Sequence, residues 1–260
     1  MGVRRLSGWA VGGLGAGAVL AAFSLTAYPL NRRSADIHSE YVKFLSGKDT
    51  ITAYLAYPER SQPAPAVIVI HEIFGMSDFV RQTTEQLAKD GFVAIAPDLL
   101  SRRGGTPASQ DSARKLIASL PPDSITVDLN ATKDYVRKLK AVRADAIGVI
   151  GFCWGGGQSF RYATNAPDLT AFVVCYGPAP NAADMARIRA NGLGVYAEND
   201  ARIDAGLSDA AAAMRAAGKT YPHTIYPGVG HGFLRSREKP VVADSAWSAV
   251  IRFFRAQLKS

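Results

Sequence analysis

The chain has 260 residues, 48% hydrophobic and 20% charged, with 24 glycines and 14 prolines scattered rather than clustered; this excludes a disordered or fibrous chain and fits one domain with a full core. Its net charge of +8 is no nucleic-acid signature: Arg4, Arg5, Arg32 and Arg33, in an acid-free N-terminal stretch, supply about half of it, and the remainder shows no basic run or basic-aromatic interleaving. Two cysteines cannot frame a disulfide scaffold and no Cys/His spacing matches zinc, so neither a metal nor any other cofactor is expected.

After Arg4 and Arg5 an uncharged apolar stretch runs from Trp9 to Leu30 and closes on Asn31, Arg32 and Arg33. That order is the order of an export signal, and the paired arginines loosely resemble a twin-arginine one. No cleavage site is clear, because Leu25 stands two positions before Ala27 where a small residue is needed. The stretch is also long enough to cross a bilayer as a helix. Residues 1–34 are therefore predicted to be a cleaved signal or a retained anchor, with membrane attachment through residues 9–30. Either outcome puts residues 35–260 in the periplasm or at the membrane, outside the cytoplasm, and a monomer is expected.

Beyond that segment, short apolar runs alternate with longer amphipathic ones. The predicted strands are Tyr41 to Leu45, Ile51 to Tyr57, Ala66 to His71, Phe92 to Ala96, Ala146 to Gly151, Ala171 to Tyr176, Leu193 to Ala197 and Tyr221 to Tyr226. The predicted helices are Asp78 to Asp90, Ser109 to Leu120, Ser124 to Lys140, Trp154 to Thr164, Asp204 to Ala217 and Val241 to Leu258. The first two strands, with only Ser46 to Thr50 between them, are predicted to form an edge hairpin. Runs such as Val67-Ile68-Val69-Ile70 suit strands buried on both faces. The alternation predicts an α/β fold, a mostly parallel sheet of about eight strands with helices on both faces and ligands at the strands' carboxyl ends.

Gly151-Phe152-Cys153-Trp154-Gly155-Gly156-Gly157 follows one of these strands and opens a helix, in the Gly-x-nucleophile-x-Gly pattern of the α/β-hydrolase elbow, with cysteine at the nucleophile position. A nucleophile on a sharp strand-to-helix turn needs neighbours without side chains, and a Cβ at Gly151 or Gly155 is expected to collide with the turn. The helix N-terminus favours a thiolate. The bland alternative is a small buried cysteine in a glycine-rich packing site.

Such a fold carries its triad in the order nucleophile, acid, histidine, and the order is present. Asp200 lies just past the strand ending at Ala197, and His231 sits between Gly230 and Gly232 in a loop after the last strand. Glu198 and Asp204 are the alternatives for the acid; Asp200 is preferred because a few residues past the strand leave room to reach a loop histidine. His223, inside a predicted strand, reads as structural. His71 and Glu72 begin like a zinc-protease helix, but Gly75 stands where the second histidine is needed. His231, oriented by Asp200, would keep Cys153 as thiolate for attack on an ester carbonyl, and water would hydrolyse the thioester. The backbone N–H groups of Trp154 and Ile73 are the expected oxyanion donors.

With Gly-Phe-Cys-Trp-Gly-Gly, His-Glu-Ile-Phe-Gly and Gly-His-Gly-Phe in one chain, residues 38–260 resemble the dienelactone hydrolase (carboxymethylenebutenolidase) family. The resemblance implies that Glu72 contacts the cysteine and takes part in its activation, and that Arg102 and Arg235 hold the carboxylate of a dienelactone, since a guanidinium grips a carboxylate in a two-pronged geometry. The competing roles are a solvated surface cation for each arginine and a structural ion-pair partner for Glu72. The export segment departs from the intracellular family enzymes and leaves the ester open. Competing readings are a general carboxylesterase or thioesterase with the same triad and, from another class, a non-catalytic α/β-hydrolase binding module. A disulfide between Cys153 and Cys175, which closes a strand next to the one preceding Cys153, is a minor alternative, disfavoured because the elbow projects Cys153 beyond the strand end.

Overall fold

A run such as Val67-Ile68-Val69-Ile70 needs apolar cover on both faces of the strand that carries it. The computed structural model, which describes residues 36–259, supplies that cover. The readings of residues 1–34 as signal or anchor, and of residues 9–30 as membrane contact, lie outside the described residues.

In chain order the elements are β1 (Ile37–Ser46), β2 (Asp49–Pro58), β3 (Ala64–Ile70), α1 (Asp78–Lys89), β4 (Val93–Pro97), α2 (Gln110–Ala118), α3 (Pro122–Arg137), β5 (Val142–Phe152) and α4 (Trp154–Ala163). They continue with β6 (Ala171–Cys175), α5 (Ala182–Met185), β7 (Asn191–Asn199), α6 (Ala201–Asp204), α7 (Leu207–Ala216), β8 (His223–Gly230), α8 (Phe233–Ser236) and α9 (Pro240–Leu258). The eight strands make one sheet in the order β1-β2-β4-β3-β5-β6-β7-β8. The predicted edge hairpin is β1–β2, and β2 also pairs antiparallel with β4. From β4 through β8 every pairing is parallel. Together with its helices, this is the α/β-hydrolase fold.

The alternation along β3 divides the core. Val67 and Val69 pack with Val80 and Leu87 of α1 and Phe254 of α9, whereas Ile68 and Ile70 pack with Leu129 of α3, Phe160 of α4 and Met214 of α7. Burying one such side chain contributes about 1.5–3 kcal/mol, so a charge at any of these positions would unseat a layer. Helix α1 shows the local logic. Val80, Thr83, Thr84, Leu87 and Ala88 recur at helical spacing on its buried face, with Asp78 in the first turn and Lys89 in the last, each complementing the helix dipole.

Two boundaries bear on the site. The helix predicted from Asp204 to Ala217 begins at Leu207, as α7, and a separate turn, α6, precedes it. The Asp200 carbonyl accepts from the N–H groups of Ile203 and Asp204, closing a tight turn that ends at Gly206. Strand β8 runs on to Gly230 rather than stopping at Tyr226, because a register shift against β7 carries the pairing to Asn199 and Gly230. His231 therefore follows the strand directly, with no loop in between.

Candidate active site

Cys153 joins β5 to α4 with φ 56 and ψ −119, a sparsely populated backbone conformation that costs about 1–3 kcal/mol for a residue with a side chain. The surroundings enforce it. Its N–H donates to the Cys175 carbonyl (3.0 Å) and its carbonyl accepts from Gly157 (3.2 Å). A Cβ on Gly151 would come within 1.9 Å of the Gly155 carbonyl oxygen, as the turn requires. At Gly155 the obstacle is different from the one expected: a Cβ there would meet the carbonyl oxygens of Ile70 and His71, at 2.5 and 2.3 Å, at the end of β3. The elbow is thus wedged against the neighbouring strand as well as folded tightly on itself.

The structure brings together the three side chains singled out from the sequence. His231 Nε2 lies 3.0 Å from Cys153 Sγ, and His231 Nδ1 lies 2.5 Å from Asp200 Oδ2. Asp200 is buried while the His231 side chain is 32% exposed, so the dyad is anchored inside and reaches outward. Glu198 instead accepts from the Gly228 N–H, and the buried Asp204 Oδ1 has no hydrogen-bond partner among the described residues. The sulfur holding the imidazole raises the His231 pKa to about 9, against an opposing effect of burial and with further help from Asp200.

Trp154 is the first residue of α4, so its N–H is among the four that a helix leaves free. The Ile73 N–H, in the loop after β3, donates to no backbone acceptor among the described residues. His223, predicted to be structural, opens β8 as an exposed residue with its ring set edge-on to Tyr196. Cys175 and Cys153 are both free thiols. Cys175 is buried in the α1–α9 side of the core, where burial pushes its thiol pKa well up, and its carbonyl accepts from the Cys153 N–H.

Glu72 is 2% exposed and lies 3.0 Å from Arg235 Nε through Oε2. The N–H is not aligned with that oxygen, which has no hydrogen-bond partner among the described residues. Burial pushes the Glu72 carboxyl up, and the charges of Arg235 and His231 pull it back. Arg102 does not join this group. Its Nε lies 3.0 Å from both carboxylate oxygens of Asp128, its Nη1 pairs with Asp49, and its Nη2 donates to Asp128 (2.7 Å) and to the Ser46 carbonyl (3.1 Å). With the whole fork committed, the expectation that Arg102 grips a substrate carboxylate is corrected: it ties the loop after β4 to the β1–β2 hairpin and α3.

Three contributors escaped the sequence reading. Tyr176, fully buried with φ 40, sets its ring edge-on to His231 at 5.1 Å. The following Gly177, whose Cβ would meet the Gly157 N at 2.3 Å, is the signal that could have marked this tight approach. His71 is buried and held neutral by burial. Its Nδ1 donates to the Glu72 carbonyl (2.7 Å) and its Nε2 accepts from the Leu99 N–H (3.3 Å), while Trp154 stacks on its ring. It therefore braces the loop that carries Glu72 and Ile73. Phe74, next in that loop, has two guanidinium carbons near its ring, Arg235 at 4.9 Å and Arg114 of α2 at 5.0 Å.

Clefts of about 490 Å³ and 470 Å³ border the site through Phe74 and Arg235 respectively, and neither is lined by a triad residue. Cys153 is half-buried against the α1–α9 side of the core, and His231 is more exposed.

The sequence model of the dienelactone hydrolase family matches residues 51–258. Two relatives provisionally named carboxymethylenebutenolidases are similar over most of their length. One, from Methylorubrum extorquens, is 30% identical over 82% of this chain and 79% of its own; the other, from Synechocystis, is 32% identical over 87% of this chain and 100% of its own. A crystal structure from Klebsiella pneumoniae, provisionally described as a dienelactone hydrolase, superposes with a TM-score of 0.77 at 27% identity and covers 84% of this chain and 98% of that one.

Proposed function

The chain belongs to the dienelactone hydrolase family and is a carboxylic ester hydrolase, and from that premise we propose that it cleaves a small, carboxylate-bearing ester or lactone through a Cys153–His231–Asp200 triad and a thioester on Cys153. The observation that supports this most directly is the pair of linked contacts, 3.0 Å from sulfur to imidazole and 2.5 Å from imidazole to buried carboxylate, with the sulfur on a strained elbow. Each part answers a chemical need. The elbow presents the sulfur. Asp200 fixes the imidazole so that Nε2 faces the sulfur, and a histidine that stays cationic beside it is the partner an attacking thiolate requires.

The sulfur adds to the ester carbonyl, and the negative charge on oxygen is taken up by the N–H groups of Trp154 and Ile73. The C–O bond then breaks, the alkoxide takes the proton of His231, and the acyl group stays on sulfur as a thioester. Water, deprotonated by His231, adds to that thioester; the acid leaves and the thiolate is restored. Glu72, within the field of His231, takes part in activating the sulfur, and Arg235 contributes positive charge where a substrate carboxylate would lie. The protein acts as a monomer. Export, or anchoring through residues 9–30, is proposed from the N-terminal sequence alone.

Acid quenching of the full chain with a nitrophenyl ester, followed by mass spectrometry, is expected to find the acyl group on the Cys153 peptide. An acyl group on another residue, or none despite turnover, overturns the triad. Comparing a dienelactone, nitrophenyl acetate and an acyl thioester as substrates separates a lactone hydrolase from a general esterase.

A further inference from the structure

The mechanism asks two backbone N–H groups, of Trp154 and Ile73, to point at one oxygen. The first opens a helix, but the second lies in a loop, where a peptide group turns more freely. One buried residue touches the neighbourhood of both. His71 directly follows β3, and its imidazole lies against the Trp154 ring with centroids 5.6 Å apart and planes 18° from parallel. Its carbonyl oxygen is what a Cβ on Gly155 would meet at 2.3 Å, so its backbone abuts the elbow as well.

The hydrogen bonds of His71 fix its tautomer. The Glu72 carbonyl, 2.7 Å from Nδ1, can only accept, and the Leu99 N–H, 3.3 Å from Nε2, can only donate. The proton is therefore on Nδ1, Nε2 is bare, and burial keeps the ring in this neutral form. The grip on Glu72 matters because its carbonyl and the Ile73 N–H belong to one peptide group. A trans peptide is planar, with C=O and N–H on opposite sides, so holding the oxygen aims the hydrogen. The Gly75 N–H donates to the same carbonyl at a longer 3.3 Å. Two donors on one oxygen polarise the peptide, which makes its N–H a stronger donor in turn.

We propose that His71 is the positioning residue of the oxyanion hole, aiming the Ile73 N–H through the Glu72 carbonyl while its ring seats Trp154. The inference rests on the triad reading above and adds to it the group that keeps the two donors in register. It also accounts for a buried imidazole that stands outside the triad, with both nitrogens spent on backbone.

The test uses the full chain and compares nitrophenyl acetate with its thiono analogue, in which sulfur replaces the carbonyl oxygen. Sulfur is a weak acceptor, so the thiono ester gains little from well-aimed N–H groups. For His71→Leu we expect kcat on the oxygen ester to fall about tenfold, less than the roughly 10²–10³ lost when a donor is removed outright, with the thiono ester slowed no more than about twofold. KM for both esters should hold. His71→Asn, whose side-chain N–H can stand where Nδ1 does, should recover most of the loss. An equal fall on both esters marks a structural role and overturns the proposal, as does an unchanged kcat on the oxygen ester. A second measurement needs no variant. The nitrogen NMR shifts of His71 in the wild type should show a protonated Nδ1 and a bare Nε2; the opposite tautomer would leave the Glu72 carbonyl ungripped and overturn the proposal equally. Failure of the triad itself appears separately, as acetate turnover that survives Cys153→Ala.

Discussion

The nucleophile elbow and the mouth around Phe74 lie next to one another and are built by different means. At the elbow, backbone approaches backbone: Gly151 against Gly155, Gly155 against the carbonyls of Ile70 and His71, Cys153 N–H on the Cys175 carbonyl. No side chain is free to choose, so the sulfur has one address. At the mouth, long side chains choose among partners: Arg235 takes Glu72 and Arg114 lies near the ring of Phe74, while Arg102 is drawn away from it to Asp128. The contrast suggests that the chemistry is set by rigid backbone packing and the choice of substrate by ion pairing, so the second can drift while the first stays.

Substitutions can break that comparison. The largest effect belongs to Cys153→Ala, which should lower turnover of any ester by roughly 10⁴-fold or more with the melting temperature little changed; retained turnover would mean that the elbow presents something other than the nucleophile. Arg102→Met should act in the opposite manner. Asp128, 2% exposed, would lose its partner, which costs about 2–3 kcal/mol after allowing for the partial exposure of the arginine. The melting temperature should fall while the KM for an anionic ester in the folded enzyme holds; a selective rise in that KM would return Arg102 to the mouth.

The smallest effect is a titration. His231 has a folded pKa of about 9, above its ordinary 6.5, chiefly through its contact with the Cys153 sulfur. The fold therefore favours the imidazolium, and its stabilisation is fully present below pH 6.5 and is lost as the pH rises through about 9. In Cys153→Ala the main cause is gone, so the NMR titration midpoint of His231 should move down toward the ordinary value and the loss of stability over that pH window should flatten. An unmoved midpoint would assign the shift to Asp200.

What could be read from the sequence divides along the same line. Glycines at 151 and 155 mark a backbone contact that admits no side chain, and such a constraint leaves its trace at the residues themselves. The order Cys153, Asp200, His231 could be read because each lies at the end of a parallel strand, where the sheet gathers them on one edge. The fold was legible for the same reason, down to the edge hairpin. Arg102 was misplaced because its partners, Asp49 and Asp128, lie 53 and 26 residues away in the chain, and nothing beside Arg102 announces them. The start of α7 was misplaced although Gly206 stands just before it, because the short turn α6, whose first carbonyl partner is Asp200, carries no periodic pattern of its own. Tyr176 gave no warning of its positive φ, since the only local cue belongs to Gly177.

The sulfur belongs to a half-buried residue and touches a histidine whose side chain is 32% exposed. An acyl group parked there is within reach of whatever small molecule diffuses past. Water prevails by its abundance alone, and a concentrated alcohol or amine would share the acyl group with it in proportion to supply and reactivity. The same arrangement that releases an acid in dilute solution would, in a crowded one, pass its cargo on to a different acceptor.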